Sequence, residues 1–151
     1  MNHESLIAEI IRLAPEVPTA TEGDFVVVRA DKSLFFNLMK LVQHDPVLQL
    51  NYLHNITCVD YKDYLEMVYH LCSTKHNAMI IVKVKLDDVV NPEIDSIFSL
   101  WKTAELLEDE AYDLFGVKFT NHPNLRRVFL GESWEGFPMR KNYTDDNMIK
   151  L

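Results

Sequence analysis

The segment YLEMVYHLCSTKHNAMIIVKVKL, Tyr64–Leu86, sets the architecture, because its apolar side chains recur at every second position on both sides of a short polar break. Leu65, Met67, Tyr69 and Leu71 share one parity, and Glu66 and His70 take the other. Successive side chains of a strand point to opposite faces, so this pattern predicts a strand with one covered face. Ala78, Ile80, Val82, Val84 and Leu86 repeat it and leave Lys83 and Lys85 for water. Ser73–Asn77 between them is short enough to close a hairpin.

Upstream, LNYLHNITCVDY, Leu50–Tyr61, divides into Leu50, Tyr52, Ile56 and Cys58 on one parity and Leu53, Thr57 and Val59 on the other, a third strand covered on at least one face. The β-branched run Phe25-Val26-Val27-Val28, bounded by Gly23, reads as a strand buried on both faces. PEVPTATEGD before it reads as a loop. Leu6, Ile7, Ile10, Ile11 and Leu13 recur at helical spacing, predicting a helix over Glu4–Leu13 that ends before Pro15. Asp31 is placed to cap a second helix carrying Leu34, Phe35, Leu38, Leu41 and Val42, stopped by His44-Asp45-Pro46.

Downstream of the hairpin, Asp87-Asp88 and Asn91-Pro92 close the sheet, and two helical pieces are expected, Glu93–Leu100 and Thr103–Phe115. The order αβαβββαα predicts an α+β fold, a small mixed β-sheet with helices packed on one face. A body over residues 1–119 is followed by an extended, irregular C-terminal interaction segment over 120–151, within a single domain.

Fifteen basic against twenty-three acidic residues leave a net charge of −8, which disfavours a general nucleic-acid binder, since that affinity comes from Lys and Arg displacing counterions. No apolar run approaches the ~20 residues that span a bilayer, and the N-terminus carries acids where a signal peptide carries bases, so a cytoplasmic chain without a direct membrane span is expected. Cys58 and Cys72 lack CxxC spacing and read as reduced core thiols. The six histidines form no zinc-ligand grouping, and the four glycines are too scattered for a phosphate loop. His70 could approach Cys58 or Cys72 across the sheet, with a satisfied core position as its ordinary reading.

The densest stretch is EDEAYDLFGVKFTNHPNLRRVFL, Glu108–Leu130. Ala104, Leu107, Ala111 and Leu114 give the Thr103–Phe115 helix its sheet-facing stripe, and Gly116 suits a left-handed stop. Its remaining faces carry Glu105, Glu108, Asp109, Glu110 and Asp113, for which a solvated acidic face is the ordinary outcome. The alternative is pairing with Arg126, Arg127, Arg140 and Lys141, if the chain doubles back. From Thr120 the chain has little periodicity but large apolar groups in Phe129, Trp134, Phe137 and Met139, so it is expected to lie as a strap along another surface, with Trp134 and Phe137 as anchors. Folding back on its own domain is the alternative.

These residues resemble the C subunit of the proton-pumping NADH:quinone oxidoreductase, the respiratory complex I family. Its pattern is an E-R-E-x-Y-D-x-F-G helix, H-P-x-L-R-R, and an E-G-H-P-L-R-K-D-Y ending, matched here by EDEAYDLFG, HPNLRR and WEGFPMRKNY. YLHNITCVDY and VYHLCSTKHNAMIIVKVKL are also similar, so the resemblance covers about Leu50–Tyr143. Asp109 stands in place of an arginine, Glu105-Leu106 in place of a frequent Asn-Trp, Phe137 in place of a histidine and Asn142 in place of an aspartate.

The resemblance implies a structural subunit of a proton-translocating enzyme, with no catalytic, cofactor-binding or metal residues of its own. FMN, iron–sulfur clusters and quinone would sit on neighbouring subunits. It implies the quinone-site D subunit as the main partner, other hydrophilic-arm subunits as further contacts, and a peripheral place on the cytoplasmic face of the cell membrane. Glu108, Glu110, Asp113, Arg126, Arg127, Arg140 and Lys141 would hold the strap to body or partner. The chain ends soon after RKNY, so no fused D subunit is expected. Two other readings remain, the equivalent subunit of a membrane-bound hydrogenase or other-donor quinone oxidoreductase, and a free-standing small enzyme using His70 with a cysteine or metal.

Overall fold

The computed structural model describes residues 1–146 and 148. In chain order the elements are α1 His3–Leu13, β1 Thr19–Glu22, β2 Phe25–Ala30, α2 Lys32–His44, β3 Tyr52–Asp60, β4 Leu65–Ser73, β5 Ala78–Leu86, β6 Glu93–Asp95, α3 Ala104–Phe115 and β7 Lys118–Thr120. Five strands form one mixed sheet in the order β1-β2-β5-β4-β3, in which β2 pairs with β5 in parallel and the other neighbours are antiparallel. The fold is α+β, as the alternating segments predict.

The period-2 pattern of Tyr64–Leu86 places Met67, Tyr69, Leu71, Ile80, Val82 and Val84 on one face, each fully buried. Leu6 and Ile10 of α1, Phe35, Leu38, Met39 and Val42 of α2, and Ala104, Ala111 and Phe115 of α3 join them in one core cluster, so the helices cover that face. On the opposite face Val27, Val68 and Ile81 form a small buried apolar cluster. Beside it run surface ion pairs such as Arg29–Glu22 at 2.7 Å. Full burial of each Leu, Val, Phe or Met contributes ~1.5–3 kcal/mol, so the helix-covered face carries the stability.

Several expectations give way. PEVPTATEGD holds β1, an exposed edge strand whose TATE sequence shows no apolar parity. Glu93–Leu100 is not helical: Glu93–Asp95 is a strand paired in parallel with Lys118–Thr120, giving a separate two-stranded sheet, and turns follow it. The element order is therefore αββαβββ, then β, α and β. Within Tyr52–Asp60 a register shift between Leu53 and Asn55 makes His54 an extra residue, which buries both Leu53 and Ile56 and leaves Tyr52 exposed. Asp31 occupies the cap position of α2 without a side-chain cap bond, whereas Asn2 Oδ1 does accept the Ser5 N–H of α1 at 2.9 Å.

From residue 121 onward there is no helix or strand among the described residues. Residues 147 and 149–151 of the expected strap lie outside them.

Candidate protein interface

The acidic face of α3 is not solvated. Glu108, Asp109 and Asp113 are at most 1 % exposed, more deeply buried than Leu107 or Leu114 of the same helix. A carboxylate taken from water needs partners. Here the returning chain supplies many of them. His122 Nε2 lies 3.1 Å from the carbonyl of Glu105, the Arg126 N–H donates to Asp109 Oδ1 at 3.1 Å, and residues 127–130 converge on Asp113. Positions 105, 109 and 113 form one i, i+4 row, so the strap follows the helix in the same chain sense, with one attachment per turn.

Asp113 is the densest of these attachments. Its Oδ2 accepts the consecutive N–H groups of Val128 (3.0 Å), Phe129 (2.7 Å) and Leu130 (3.0 Å), and its Oδ1 accepts Arg127 Nη1 at 2.9 Å. Successive N–H groups converging on one anion make a nest, with the protein's own side chain as occupant. Arg127 is only 12 % exposed, and its second nitrogen donates to the carbonyls of Trp134 (3.1 Å) and Gly136 (2.9 Å), which closes the 128–136 loop onto the helix. Burial would raise the Asp113 carboxyl, but the Leu130 N–H, the Arg127 guanidinium and the Phe129 and Val128 N–H groups outweigh it and hold it below the ordinary range.

A second attachment lies beyond the helix end. Asp60, at the end of β3, accepts the Lys141 N–H at 2.8 Å and the Lys62 N–H at 2.7 Å, and its Oδ2 is 3.5 Å from Arg140 Nε. Arg140 also donates to the carbonyls of Phe115 (3.2 Å) and Val89. Gly116 caps α3 at φ +76, where a side chain is strained, and the Phe137 ring lies so close that a Cβ there would meet it at 2.6 Å. Phe137 also meets Tyr112 edge-on and the Arg127 guanidinium face-on.

At the strap's root, Glu108, Asp109 and His122 are buried together. Glu108 accepts Ser96 Oγ at 2.6 Å and the Ile97 N–H at 2.8 Å. His122 Nε2 lies 3.7 Å from Glu108 and 3.8 Å from Asp109. The Asn124 N–H points at His122 Nδ1, which assigns the proton to Nε2 and makes it the donor to Glu105. Burial pushes the Glu108 carboxyl up to about 7, against the lowering effect of its Ser96 and Ile97 bonds and with a further push from Asp109.

The expected site residues thus separate. Asp113 with Arg127, and Arg140 with the Lys141 backbone, bind the strap to its own domain. Arg126 contributes its N–H while its side chain is 63 % exposed. Glu110 is half-buried and its side chain makes no hydrogen bond or ion pair among the described residues. Phe137, expected as an outward anchor, turns inward because Gly116 leaves room for its ring. Phe129 (67 %), Met139 (55 %) and Trp134 (40 %) face outward. The inner side of the strap therefore folds back on its own domain. Asp60 and His122 are the attachments that sequence reasoning missed, and only the His-Pro turn signalled either.

His70 and Cys58 lie on opposite faces of the sheet: Cys58 pairs across from core-facing Met67, while His70 pairs across from Ile81. Burial raises the Cys58 thiol to about 12, which makes it a poor nucleophile at neutral pH. Among the described residues no group of three His, Cys, Asp or Glu could hold a metal ion, and no helix is long and apolar enough to cross a membrane.

Comparison with known proteins gives a consistent result. The family model described as respiratory-chain NADH dehydrogenase, 30 Kd subunit, matches residues 28–147. The NADH-quinone oxidoreductase C subunit of Moorella thermoacetica is 38 % identical over 144 residues, covering 93 % of this chain and 94 % of that protein. The C subunit of Roseiflexus sp. is 36 % identical over 140 residues, covering 87 % and 79 %. The C/D subunit of Phocaeicola vulgatus is 36 % identical over 109 residues, 68 % of this chain and 21 % of that protein. A chain from the structure of the membrane-bound sulfane sulfur reductase, an archaeal respiratory membrane complex, shares the fold at TM-score 0.75 and 19 % identity, over 93 % of this chain and 85 % of that one. Matched along most of its length by the family model and by full-length relatives, the chain belongs to the 30 kDa subunit family of respiratory-chain NADH dehydrogenase, the C-subunit family of NADH-quinone oxidoreductases.

Proposed function

We propose that the chain is a structural, cofactor-free subunit in the hydrophilic arm of a proton-translocating NADH:quinone oxidoreductase, and that it docks on the D subunit through the outer side of its strap. The observation that carries this reading is the division of the strap. The main-chain N–H groups of residues 126, 128–130 and 141 and the Arg127 side chain turn inward to Asp109, Asp113 and Asp60, while Phe129, Met139 and Trp134 remain outside. Large apolar side chains on an irregular segment pinned from behind are what a partner surface requires, because the ordering cost is met before docking. The Phocaeicola vulgatus relative, in which C and D form one protein, supports D as the neighbour.

In this reading flavin, iron–sulfur clusters and quinone belong to adjacent subunits, and the chain lies peripherally on the cytoplasmic face of the membrane, positioning them. The equivalent subunit of a membrane-bound hydrogenase or other-donor complex is the second reading, favoured by Asp109 and Glu105-Leu106 at positions where the resemblance departs from its pattern. Co-expression with the D subunit from the same genome tests the proposal. A stable pair is expected, and Phe129→Ser with Trp134→Ser should abolish it without lowering the chain's own Tm. A pair that survives both changes overturns the docking surface. Co-purification from a detergent extract separates the two readings, an NADH-oxidising flavoprotein supporting the first and a nickel-containing large subunit the second.

A further inference from the structure

Arg126 and Arg127 are neighbours in sequence with opposite surroundings. Arg127 directs both terminal nitrogens to groups of its own domain. The Arg126 guanidinium makes no hydrogen bond among the described residues, and its nearest anion is Asp109 Oδ2, 4.0 Å from Nε. A guanidinium has five donors in a planar fork suited to a carboxylate, so an exposed one without a hydrogen-bonded partner is matched only by water.

The backbone around Arg126 is pinned on both sides. Its own N–H is bound to Asp109, and the N–H groups of residues 128–130 are bound to Asp113. The side chain therefore leaves a fixed backbone, on the same pinned segment that carries the exposed Phe129 and Val128. An exposed arginine and an exposed aromatic group carried on one fixed backbone segment have the composition of an interface hot spot. The chain carries net charge −8, so a carboxylate on a partner would meet repulsion over much of this surface, and a matched cation at one point would select the docking orientation.

We infer that Arg126 is the arginine given to the partner: it takes a carboxylate of the D subunit while Phe129 fills an apolar pocket beside that carboxylate, and Arg127 stays within the chain as the clasp. This rests on the docking reading above, and the two can fail separately.

The test measures affinity between the purified full-length chain and the D subunit at low and high salt, with the Tm of the chain alone. Arg126→Ala should weaken binding roughly tenfold or more and flatten its salt dependence, with Tm unchanged. Arg126→Lys should recover only part, because an ammonium cannot hold a carboxylate bidentately. Arg126→Glu should weaken binding further, and one Asp or Glu to Lys change among the exposed acids of the D subunit should restore it. Arg127→Ala should lower Tm instead. If Arg126→Ala binds like wild type while Phe129→Ser does not bind, this inference is overturned and the docking reading stands. If neither change weakens binding, both fall. If Arg126→Ala lowers the chain's Tm, the residue is internal and the inference is overturned.

Discussion

Replacing Asp113 by Asn should detach the strap from α3 while leaving the sheet intact. The substitution keeps the volume of a side chain that is 0 % exposed, so no cavity forms. What changes is the donor balance. If the amide oxygen faces the N–H groups of Val128, Phe129 and Leu130, the amide NH2 faces Arg127 Nη1 from the carboxylate position now 2.9 Å away, donor against donor. The flipped amide sets NH2 against three N–H groups. Either arrangement leaves the largely buried Arg127 without its anion, and breaking such a pair costs about 3–5 kcal/mol. The segment can avoid part of this by peeling away into water, so the loss should read as local opening and not as global unfolding.

At about 3 kcal/mol, hydrogen exchange at the amides of residues 128–130 should accelerate roughly a hundredfold, with much smaller changes in β4 and β5. The wild-type chain should show a related acid response. The carboxyl of Asp113 is depressed in the fold, so its stabilisation is present above the ordinary carboxylate value and is lost as pH falls through the lower folded value. The Asn variant should lack that step. Unchanged protection at residues 128–130 in the variant would refute the nest as the element that holds the strap.

Two further perturbations probe the strap's root and its far attachment. The carboxyl of Glu108 rises in the fold from 4.5 to about 7, so its stabilising contribution is complete below 4.5 and is lost as pH rises through 7. Such a rise corresponds to roughly 3 kcal/mol. Glu108→Gln, a mimic of the protonated acid, should flatten urea-derived stability between these pH values, and a variant as pH-dependent as wild type would assign the effect elsewhere. Gly116→Ala adds a Cβ 2.6 Å from the Phe137 ring at φ +76, so both strain and a clash should lower Tm. Adding Phe137→Ala should relieve only the clash, and a double variant whose Tm loss equals the sum of the two single losses would show that ring and glycine do not meet.

The three long strands were legible because one covered face imposes period-2 alternation, which Tyr64–Leu86 displays over its whole length. β1 was not, since the edge strand TATE has no covered apolar face to reveal it. Glu93–Asp95 was expected to open a helix after the Asn91-Pro92 break, and its strand state depends on parallel pairing with Lys118–Thr120, a contact made only after α3 turns the chain back. The acids of α3 were visible, but their burial was not. Many of the groups that satisfy them are main-chain N–H donors of residues 97, 126 and 128–130, which any sequence would carry. For the same reason nothing distinguished Arg126 from Arg127, and Phe137 was taken as the outward anchor where Phe129 is the exposed ring. Gly116 was legible as a helix stop, and its second role as the floor beneath Phe137 was not. The order of the C-terminal motifs, not any single group, carried the family resemblance.

Whether the outer side of the strap is the docking surface can be read by hydroxyl-radical footprinting of Phe129, Trp134 and Met139, in the purified chain and in the complex extracted in detergent. All three should react in the free chain and be shielded in the complex, with the fully buried Tyr69 protected in both. Equal reactivity of the three side chains in the two states would mean that the strap's apolar side faces water in the assembly, and the docking role would be lost.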